Sequence, residues 1–393
     1  MARCSLRARA RVLAIAVLTV AALVNAPVAQ AAHHSGWTTV ARGFDNPRGV
    51  ALLPHGELVV AESGHSGTTC VFGGKVCGGL TAGITGVNLQ NGQRRALVRG
   101  LPSMFLPFAS FGLGGLSVRN GQLYAVTAAN PQFLGSPAAD CAGLPAPCLR
   151  VIRAVKSRSG LLIRVRPGGG FDSVGAVGAA DYRYTVVANP SPGNPDFQPG
   201  DADPFGLLTG PNGTYVADGG SNTLSFVRPD GHVRVLAYIP DPPAHQPLYD
   251  AVPTCVARVG DSIYVGSLIG SLFRWHAGHL SKVLSGGKLK AIVGCASDPA
   301  GNLYVVNLTE DFNNFNPKPS SGSIVKLDRH LHSSYVVAPG QGLNYPGGIG
   351  FGPHGALFVS INSLCPRDLS VLPSVGIPPS YCPANGTVVR IER

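Results

Sequence analysis

The chain has 393 residues, of which 52 are Gly and 33 are Pro, with 13% charged residues and a formal net charge of +11. Gly and Pro mark turns, so this composition predicts many short strands rather than long helices. The basic residues are scattered among acidic ones, whereas a nucleic-acid-binding protein carries a clustered basic stripe. We therefore exclude nucleic acid as a partner and attribute the positive charge to solubility and weak attraction to anionic cell-surface polymers.

The first 31 residues have the pattern of a secretory signal peptide. Four arginines within the first eleven residues precede an apolar run over residues 12–24, and Ala29-Gln30-Ala31 supplies a small-x-small cleavage site. The apolar run is shorter than the roughly 20 residues of a membrane-spanning helix, which favours a cleaved signal peptide over an anchor. We expect residues 32–393 to form a single monomeric domain without a transmembrane segment. It is expected outside the cell or on the exterior of the cell envelope.

A repeated pattern begins near residue 47. An apolar strand, a tight turn and an aromatic-rich strand recur, as in Asn302-Leu303-Tyr304-Val305, and a second hairpin follows in most of the repeats. The six first turns are Pro54-His55-Gly56, Arg119-Asn120-Gly121, Pro211-Asn212-Gly213, Val259-Gly260-Asp261, Pro299-Ala300-Gly301 and Pro353-His354-Gly355. Such hairpins, repeating at propeller spacing, predict blades of four antiparallel strands, here named a to d.

The sixth repeat lacks its own d strand. The chain reaches only Val388-Val389-Arg390-Ile391, which matches strand c, whereas Trp37-Thr38-Thr39-Val40-Ala41 resembles a d strand and precedes the first a strand. Every blade has four strands if the N-terminal strand completes the last one. This closure also protects strand edges. The sequence thus predicts an all-β, six-bladed β-propeller closed by its N-terminal strand.

Several segments of these strands resemble one known family. Phe44-Asp45-Asn46-Pro47-Arg48-Gly49-Val50-Ala51, the segment 201–208 and Tyr345-Pro346-Gly347-Gly348-Ile349 are similar to the ScyD/ScyE family of exported, NHL-like bacterial propellers. The resemblance spans residues 32–393 and implies a secreted propeller. It implies no catalytic residue, and blade two departs from the family pattern at residues 112–116.

Cysteines favour an oxidising compartment. Eight remain after the signal peptide, and an even number in an exported chain predicts disulfides. Three pairs lie each within one b–c loop, and the last two occupy matching a-strand positions of neighbouring blades. The predicted pairs are Cys70–Cys77, Cys141–Cys148, Cys365–Cys382 and Cys255–Cys295.

The b strands end in polar residues. Glu62, Asp218 and Asn307 stand at equivalent last positions of strand b, where Thr127 and Ser267 also occur. One interpretation places Glu62, Asp218 and Asn307 around the axial mouth as ligand-binding residues, or as oxygen ligands of a divalent cation such as Ca²⁺, the arrangement of lactonase-type propellers. The other is that they hydrogen-bond loop backbone, as Asx and Ser/Thr side chains do after strands.

Long loops gather on one face of the predicted propeller. The b–c loops of blades one, two, five and six, and the connections 189–204 and 240–253, all lie there, while the opposite turns are tight. Function on a rigid scaffold usually resides in such loops. We expect a non-enzymatic protein that binds a small molecule or an envelope glycan, with the apolar segment 104–108 in the binding face. The alternative is a metal-assisted hydrolase or lyase of the lactonase or strictosidine-synthase kind.

Overall fold

The computed structural model describes residues 36–67, 69–71, 76–106, 109–128, 142–143, 147–191, 200–242, 250–310, 319–370 and 381–392. Within these residues six antiparallel sheets form the blades of a β-propeller, each with four blade strands. The predicted fold class is confirmed. The predicted signal peptide, residues 1–31, lies outside the described residues, as do Cys141 and the side chain of Cys70.

The blades follow one another along the chain. Blade one contains β2 (Pro47–Leu52), β3 (Glu57–Glu62), β5 (Val76–Asn88) and β6 (Arg94–Leu106), with β4 (Thr69–Val71) and β7 (Ala109–Phe111) at its margin. Blade two contains β8 (Leu113–Arg119), β9 (Gln122–Thr127), β10 (Leu162–Val165) and β11 (Phe171–Gly175). Blade three contains β12 (Pro204–Gly210), β13 (Gly213–Asp218), β14 (Thr223–Val227) and β15 (Val233–Tyr238).

The second half of the ring repeats the arrangement. Blade four contains β16 (Pro253–Val259), β17 (Ser262–Ser267), β18 (Ser271–His276) and β19 (His279–Ser285). Blade five contains β20 (Ile292–Ser297), β21 (Leu303–Asn307), β22 (Ser323–Leu327) and β23 (Ser333–Val337). Blade six contains β24 (Ile349–Phe351), β25 (Leu357–Ile361), β26 (Gly386–Ile391) and, as its outer strand, β1 (Trp37–Phe44).

The ring closes through the N-terminal strand, as predicted. Strand β1 pairs antiparallel with β26, from Trp37 opposite Ile391 to Phe44 opposite Gly386. The side chain of Phe44 is fully buried and that of Trp37 nearly so, so β1 contributes apolar packing as well as backbone hydrogen bonds. Blade six is therefore completed by a strand from the opposite end of the sequence.

The tight turns follow from local sequence. In the turn between β8 and β9, Asn120 and Gly121 both have positive φ, at 48° and 76°. This is the conformation that a two-residue hairpin of type I′ needs, and Asn-Gly adopts it at least cost. Neighbouring blades then pack through apolar faces, for example where Tyr304 meets Phe351 edge to face at 5.2 Å.

In the described part of the chain two α-helices interrupt the β pattern, and the sequence analysis predicted neither. Helix α1 (Pro147–Arg158) lies in the b–c segment of blade two, and helix α2 (Val177–Ala188) lies between blades two and three. Helix α1 buries Cys148, Ile152 and Val155. No helix among the described residues is long and apolar enough to cross a membrane.

Candidate functional site

One face of the ring, here called the loop face, carries the b–c loops and the d–a connections. Above blade one, β5 and β6 continue their pairing beyond the blade as far as Cys77 opposite Phe105, and β7 adds a further strand. Helix α1 packs against this extension, and Met104 is buried in a cluster with Cys148, Ile152 and Val155. The interpretation of segment 104–108 as an exposed patch is therefore wrong for Met104, because α1 covers it.

The axis of the propeller is lined by the first residues of the a strands. Each blade contributes three consecutive residues around a cavity of 60 Å³. The lining triplets are Arg48-Gly49-Val50, Gly114-Gly115-Leu116, Phe205-Gly206-Leu207, Thr254-Cys255-Val256, Val293-Gly294-Cys295 and Gly347-Gly348-Ile349. Since the a strands begin at the loop face, this cavity lies towards that face.

Glycine lets the strands meet closely around the axis. A Cβ on Gly206 would lie 2.6 Å from the Cα of Cys255, and one on Gly114 would lie 2.3 Å from the carbonyl oxygen of Phe205. Backbone atoms cannot yield at such distances, so these positions require glycine. Backbone therefore forms the inner wall at these glycine positions.

Arg48 is the charged side chain of this lining. It is 7% exposed, and its Nη2 donates a hydrogen bond to the carbonyl oxygen of Ser110 at 3.2 Å. Its guanidinium lies 6.0 Å from the centre of the Phe205 ring. Among the described residues Nε has no hydrogen-bond partner. Burial lowers the pKa of Arg48 to about 10, although the charge of Asp203 acts in the opposite direction.

Glu62, at the end of β3, is 4% exposed and bound on several sides. Its Oε2 accepts hydrogen bonds from the backbone N–H of Asp45 at 2.7 Å and from Nη2 of Arg367 at 2.9 Å. Its Oε1 accepts a hydrogen bond from the hydroxyl of Thr85. Glu62 thus fastens the segment that leads into β2.

Asp218 and Asn307 have the same role in blades three and five. Oδ1 of Asp218 accepts the backbone N–H of Asp203 at 2.6 Å, directly before β12. Oδ1 of Asn307 accepts the backbone N–H of Lys290 at 3.1 Å, directly before β20. The described contacts of Glu62, Asp218 and Asn307 are hydrogen bonds to nearby backbone and side chains, and Glu62 also pairs with Arg367 of the b–c loop of blade six. Hydrogen bonding to loop backbone is the role described by the second interpretation.

The donor set at the axis does not suit the divalent cation considered above. Hard cations such as Ca²⁺ take several oxygen ligands, mostly carboxylates and carbonyls. Within the described residues, the axial lining contains Arg48 and no carboxylate. The described part of the chain also holds no group of three or more His, Cys, Asp or Glu side chains arranged to bind a metal.

A histidine near blade one forms an acid–base pair that the sequence analysis missed. Nδ1 of His65 lies 2.5 Å from Oδ2 of Asp45, and this hydrogen bond raises the pKa of His65. The His65 side chain is 46% exposed. Oδ1 of Asp45 accepts the backbone N–H of Arg367 at 3.1 Å. Asp45 and His65 lie 20 residues apart in sequence, so spacing gave no signal.

Buried carboxyl groups gather under α2 and beside blade three. Asp181 and Asp218 are fully buried and interact with each other, and burial raises the pKa of both. Oδ2 of each lacks a hydrogen-bond donor among the described residues. Nearby, Nδ2 of Asn222 donates to Asp241 and Asp250, and burial raises the pKa of Asp250 to about 7.

Two of the four predicted cysteine pairs lie at disulfide distance. Cys255 and Cys295 join blades four and five with Cα atoms 5.6 Å apart, and Cys365 pairs with Cys382 at 5.5 Å. Backbone pairing sets Cys77 opposite Cys70. The Cys70–Cys77 and Cys141–Cys148 bridges themselves fall outside the described side chains.

Comparisons with known proteins show the fold. No protein-family model and no curated protein matches the sequence. A gluconolactonase from Xanthomonas campestris is 12% identical with a TM-score of 0.50, covering 90% of this chain and 88% of that one. A protein of unknown function from Bacteroides thetaiotaomicron is 9% identical with a TM-score of 0.53, covering 91% and 75%. A virginiamycin B lyase from Staphylococcus aureus is 14% identical with a TM-score of 0.44, covering 82% and 79%.

At such identities the likeness concerns architecture. It shows the β-propeller fold alone.

Proposed function

We propose that this chain is a secreted propeller of the ScyD/ScyE kind that binds a small molecule or an envelope glycan at its loop face and catalyses no reaction. One observation carries the proposal: as far as the structure describes the chain, the axial lining presents a buried guanidinium and no carboxylate. A metal-assisted hydrolase requires oxygen ligands that converge on a cation. In this chain the candidate oxygen donors Glu62, Asp218 and Asn307 instead accept hydrogen bonds from nearby backbone N–H groups.

The loop face supports recognition in a second way. The extension of β5 and β6, fixed by α1, stands beside the axial cavity, and disulfide pairing restrains the loop that holds Cys365 and Cys382. Loops that are already ordered lose less entropy when a ligand binds. The predicted signal peptide and the paired cysteines agree with action outside the cell.

The alternative function, a lyase or hydrolase, has one observation in its favour. His65 is partly exposed on the loop face and is oriented by Asp45, as a general acid or base often is. Because the hydrogen bond to Asp45 raises the pKa of His65, the imidazole holds its proton to higher pH and is better suited to donate a proton than to remove one.

A binding screen that also monitors turnover separates the two functions. The protein produced with its disulfides is applied to an oligosaccharide array and to a panel of sugars, lactones and organic acids. We expect binding without product formation, and an effect on binding from His65→Ala on the loop face. The matched control is His354→Ala in the opposite turn between β24 and β25, which should leave binding unchanged. Turnover that disappears in His65→Ala would establish the enzyme instead.

A further inference from the structure

Arg48 is unusual because its charge is buried and no described residue forms an ion pair with it, although the charge of Asp203 acts on it from further away. It lies in β2 at the axis, and across the axial cavity it faces Phe205 of blade three. No carboxylate of the described residues lies within salt-bridge distance of its guanidinium, since the ion pairs found there involve other arginines and histidines. Buried charges in proteins are normally paired, because removing a charge from water is costly.

The hydrogen bonds of Arg48 are also incomplete. A guanidinium has five N–H donors in a planar fork. For Arg48, one hydrogen bond is present, from Nη2 to the carbonyl oxygen of Ser110, and the buried Nε has no described partner. An unsatisfied charged donor at this depth is a strong reason to expect an acceptor from outside the chain.

The surrounding cavity limits what that acceptor can be. One water needs roughly 10–15 Å³ of such space, so the 60 Å³ cavity takes the end group of a ligand and not a whole sugar ring. Its wall is backbone at Gly49, Gly114 and Gly206, with the Phe205 ring on one side. Thr254 is already used, because its hydroxyl donates to the carbonyl oxygen of Ile292 at 2.7 Å. Among the described side chains of the lining, the charged group that can fix a ligand is the guanidinium of Arg48.

We propose that Arg48 anchors the carboxylate of a small acidic ligand at the axial mouth, while the rest of that ligand lies on the loop face. This inference rests on the proposed binding function and names its ligand class. A carboxylate matches the planar fork of arginine through two parallel hydrogen bonds, and such a pair is stronger than hydrogen bonds between neutral groups. Uronic acids and short organic acids have the required group on a body of suitable size.

Calorimetric titration with D-glucuronate tests the proposal, with D-glucose as its neutral match and sulfate as a tetrahedral anion. We expect glucuronate to bind and glucose not to. Arg48→Met should weaken glucuronate binding by roughly tenfold or more, since charge-assisted hydrogen bonds are lost. Arg48→Lys keeps the charge but lacks the planar fork of donors. Its affinity for glucuronate should therefore lie between those of the wild type and Arg48→Met. The control is Arg258→Met, because Arg258 lies over Tyr215 at 5.8 Å and outside the axial lining.

A direct measurement keeps the test independent of folding defects. In protein with ¹⁵N-labelled arginine, the Nε–H resonance of Arg48 is assigned by its loss in Arg48→Lys. Titration with acetate or glucuronate should shift this resonance, and glucose should not. Stronger binding of sulfate than of either carboxylate would overturn the ligand class. An Nε–H resonance that no anion shifts would overturn the anchor.

The outcomes also distinguish this inference from the proposed function. A neutral glycan or metabolite that binds the wild type and Arg48→Met equally would refute the anchor and leave loop-face binding standing. Acetate that shifts the Arg48 resonance, with no response from any larger compound, would support the anchor and refute the proposed function.

Discussion

Replacing Glu62 by alanine tests whether the polar ends of the b strands hold the fold or serve a ligand. In the folded protein Glu62 accepts hydrogen bonds from the backbone N–H of Asp45, the hydroxyl of Thr85 and the guanidinium of Arg367. The Arg367 side chain is 47% exposed and can turn to water when Glu62 is removed. Asp45 and Thr85 are buried, so their donors would lose their acceptor inside the protein.

The expected cost follows from those two buried donors. Each donor left without an acceptor costs about 1–3 kcal/mol, so Glu62→Ala should lower the free energy of unfolding by roughly 2–6 kcal/mol. That is a large part of the 5–15 kcal/mol typical of a folded protein. A residue that only contacts ligand would instead leave stability nearly unchanged.

Blade four supplies the matched control. Ser267 ends strand β17 at the equivalent position, and its buried hydroxyl has no hydrogen-bond partner among the described residues. Ser267→Ala should therefore leave stability unchanged or raise it, because it removes a buried hydroxyl that has no described partner to lose. Urea unfolding can be followed by fluorescence of the two tryptophans of the chain. A loss of stability in Ser267→Ala equal to that in Glu62→Ala, or no loss in Glu62→Ala, would refute the structural role.

Two further predictions concern charge and covalent cross-linking. Burial raises the pKa of Asp250 from 3.8 to about 7, so this group weakens the fold as pH rises through that range, by up to about 4 kcal/mol. Asp250→Asn should therefore be more stable than the wild type at pH 8 and similar to it at pH 4 in urea unfolding, and an equal difference at both pH values would contradict this. The Cys255–Cys295 bridge spans 40 residues and Cys365–Cys382 spans 17, so paired replacement by alanine should cost about 4 and about 3 kcal/mol in the chain-entropy model. A larger calorimetric loss for the shorter loop would argue against that model here.

Most of the propeller could be predicted because its signals are local and repeated. Tight turns such as Asn120-Gly121 fix hairpins by backbone conformation alone, and six copies of one pattern determine the blade count. Ring closure followed from counting strands, since the last repeat lacked a d strand that Trp37 to Ala41 could supply. None of these steps needed knowledge of tertiary contacts.

The helices and the axial site depend on tertiary contacts and were therefore harder to predict from the sequence. Helix α2 has the sequence Val-Gly-Ala-Ala-Asp-Tyr-Arg-Tyr-Thr-Val-Val-Ala, whose β-branched and aromatic residues have modest helix propensity and no clear apolar stripe. It is held by packing over blade three, where Asp181 is fully buried. Propensity alone could not show this.

Arg48 was missed although the sequence held a usable signal. Aligning the six a strands places Arg48 at the position taken by Gly114, Phe205, Thr254, Val293 and Gly347 in the other blades. A charge at one of six equivalent inward positions stands out only when the blades are compared with one another. The polar ends of the b strands are a recurring feature of the sequence. On a pseudosymmetric ring, however, a site is marked by the residue that differs from its equivalents in the other blades.

The closure of blade six by β1 has a consequence for the order of folding. Strand β1 is synthesised before every other described strand, yet its partner β26 comes last. Blades one to five can therefore form as their strands are synthesised. Strand β1 cannot pair with β26 until β26 has been synthesised. Joining strands so distant in sequence carries the largest loop-closure entropy of the fold. Closing the ring is thus a late step, and chains released before β26 would expose two open strand edges to other chains.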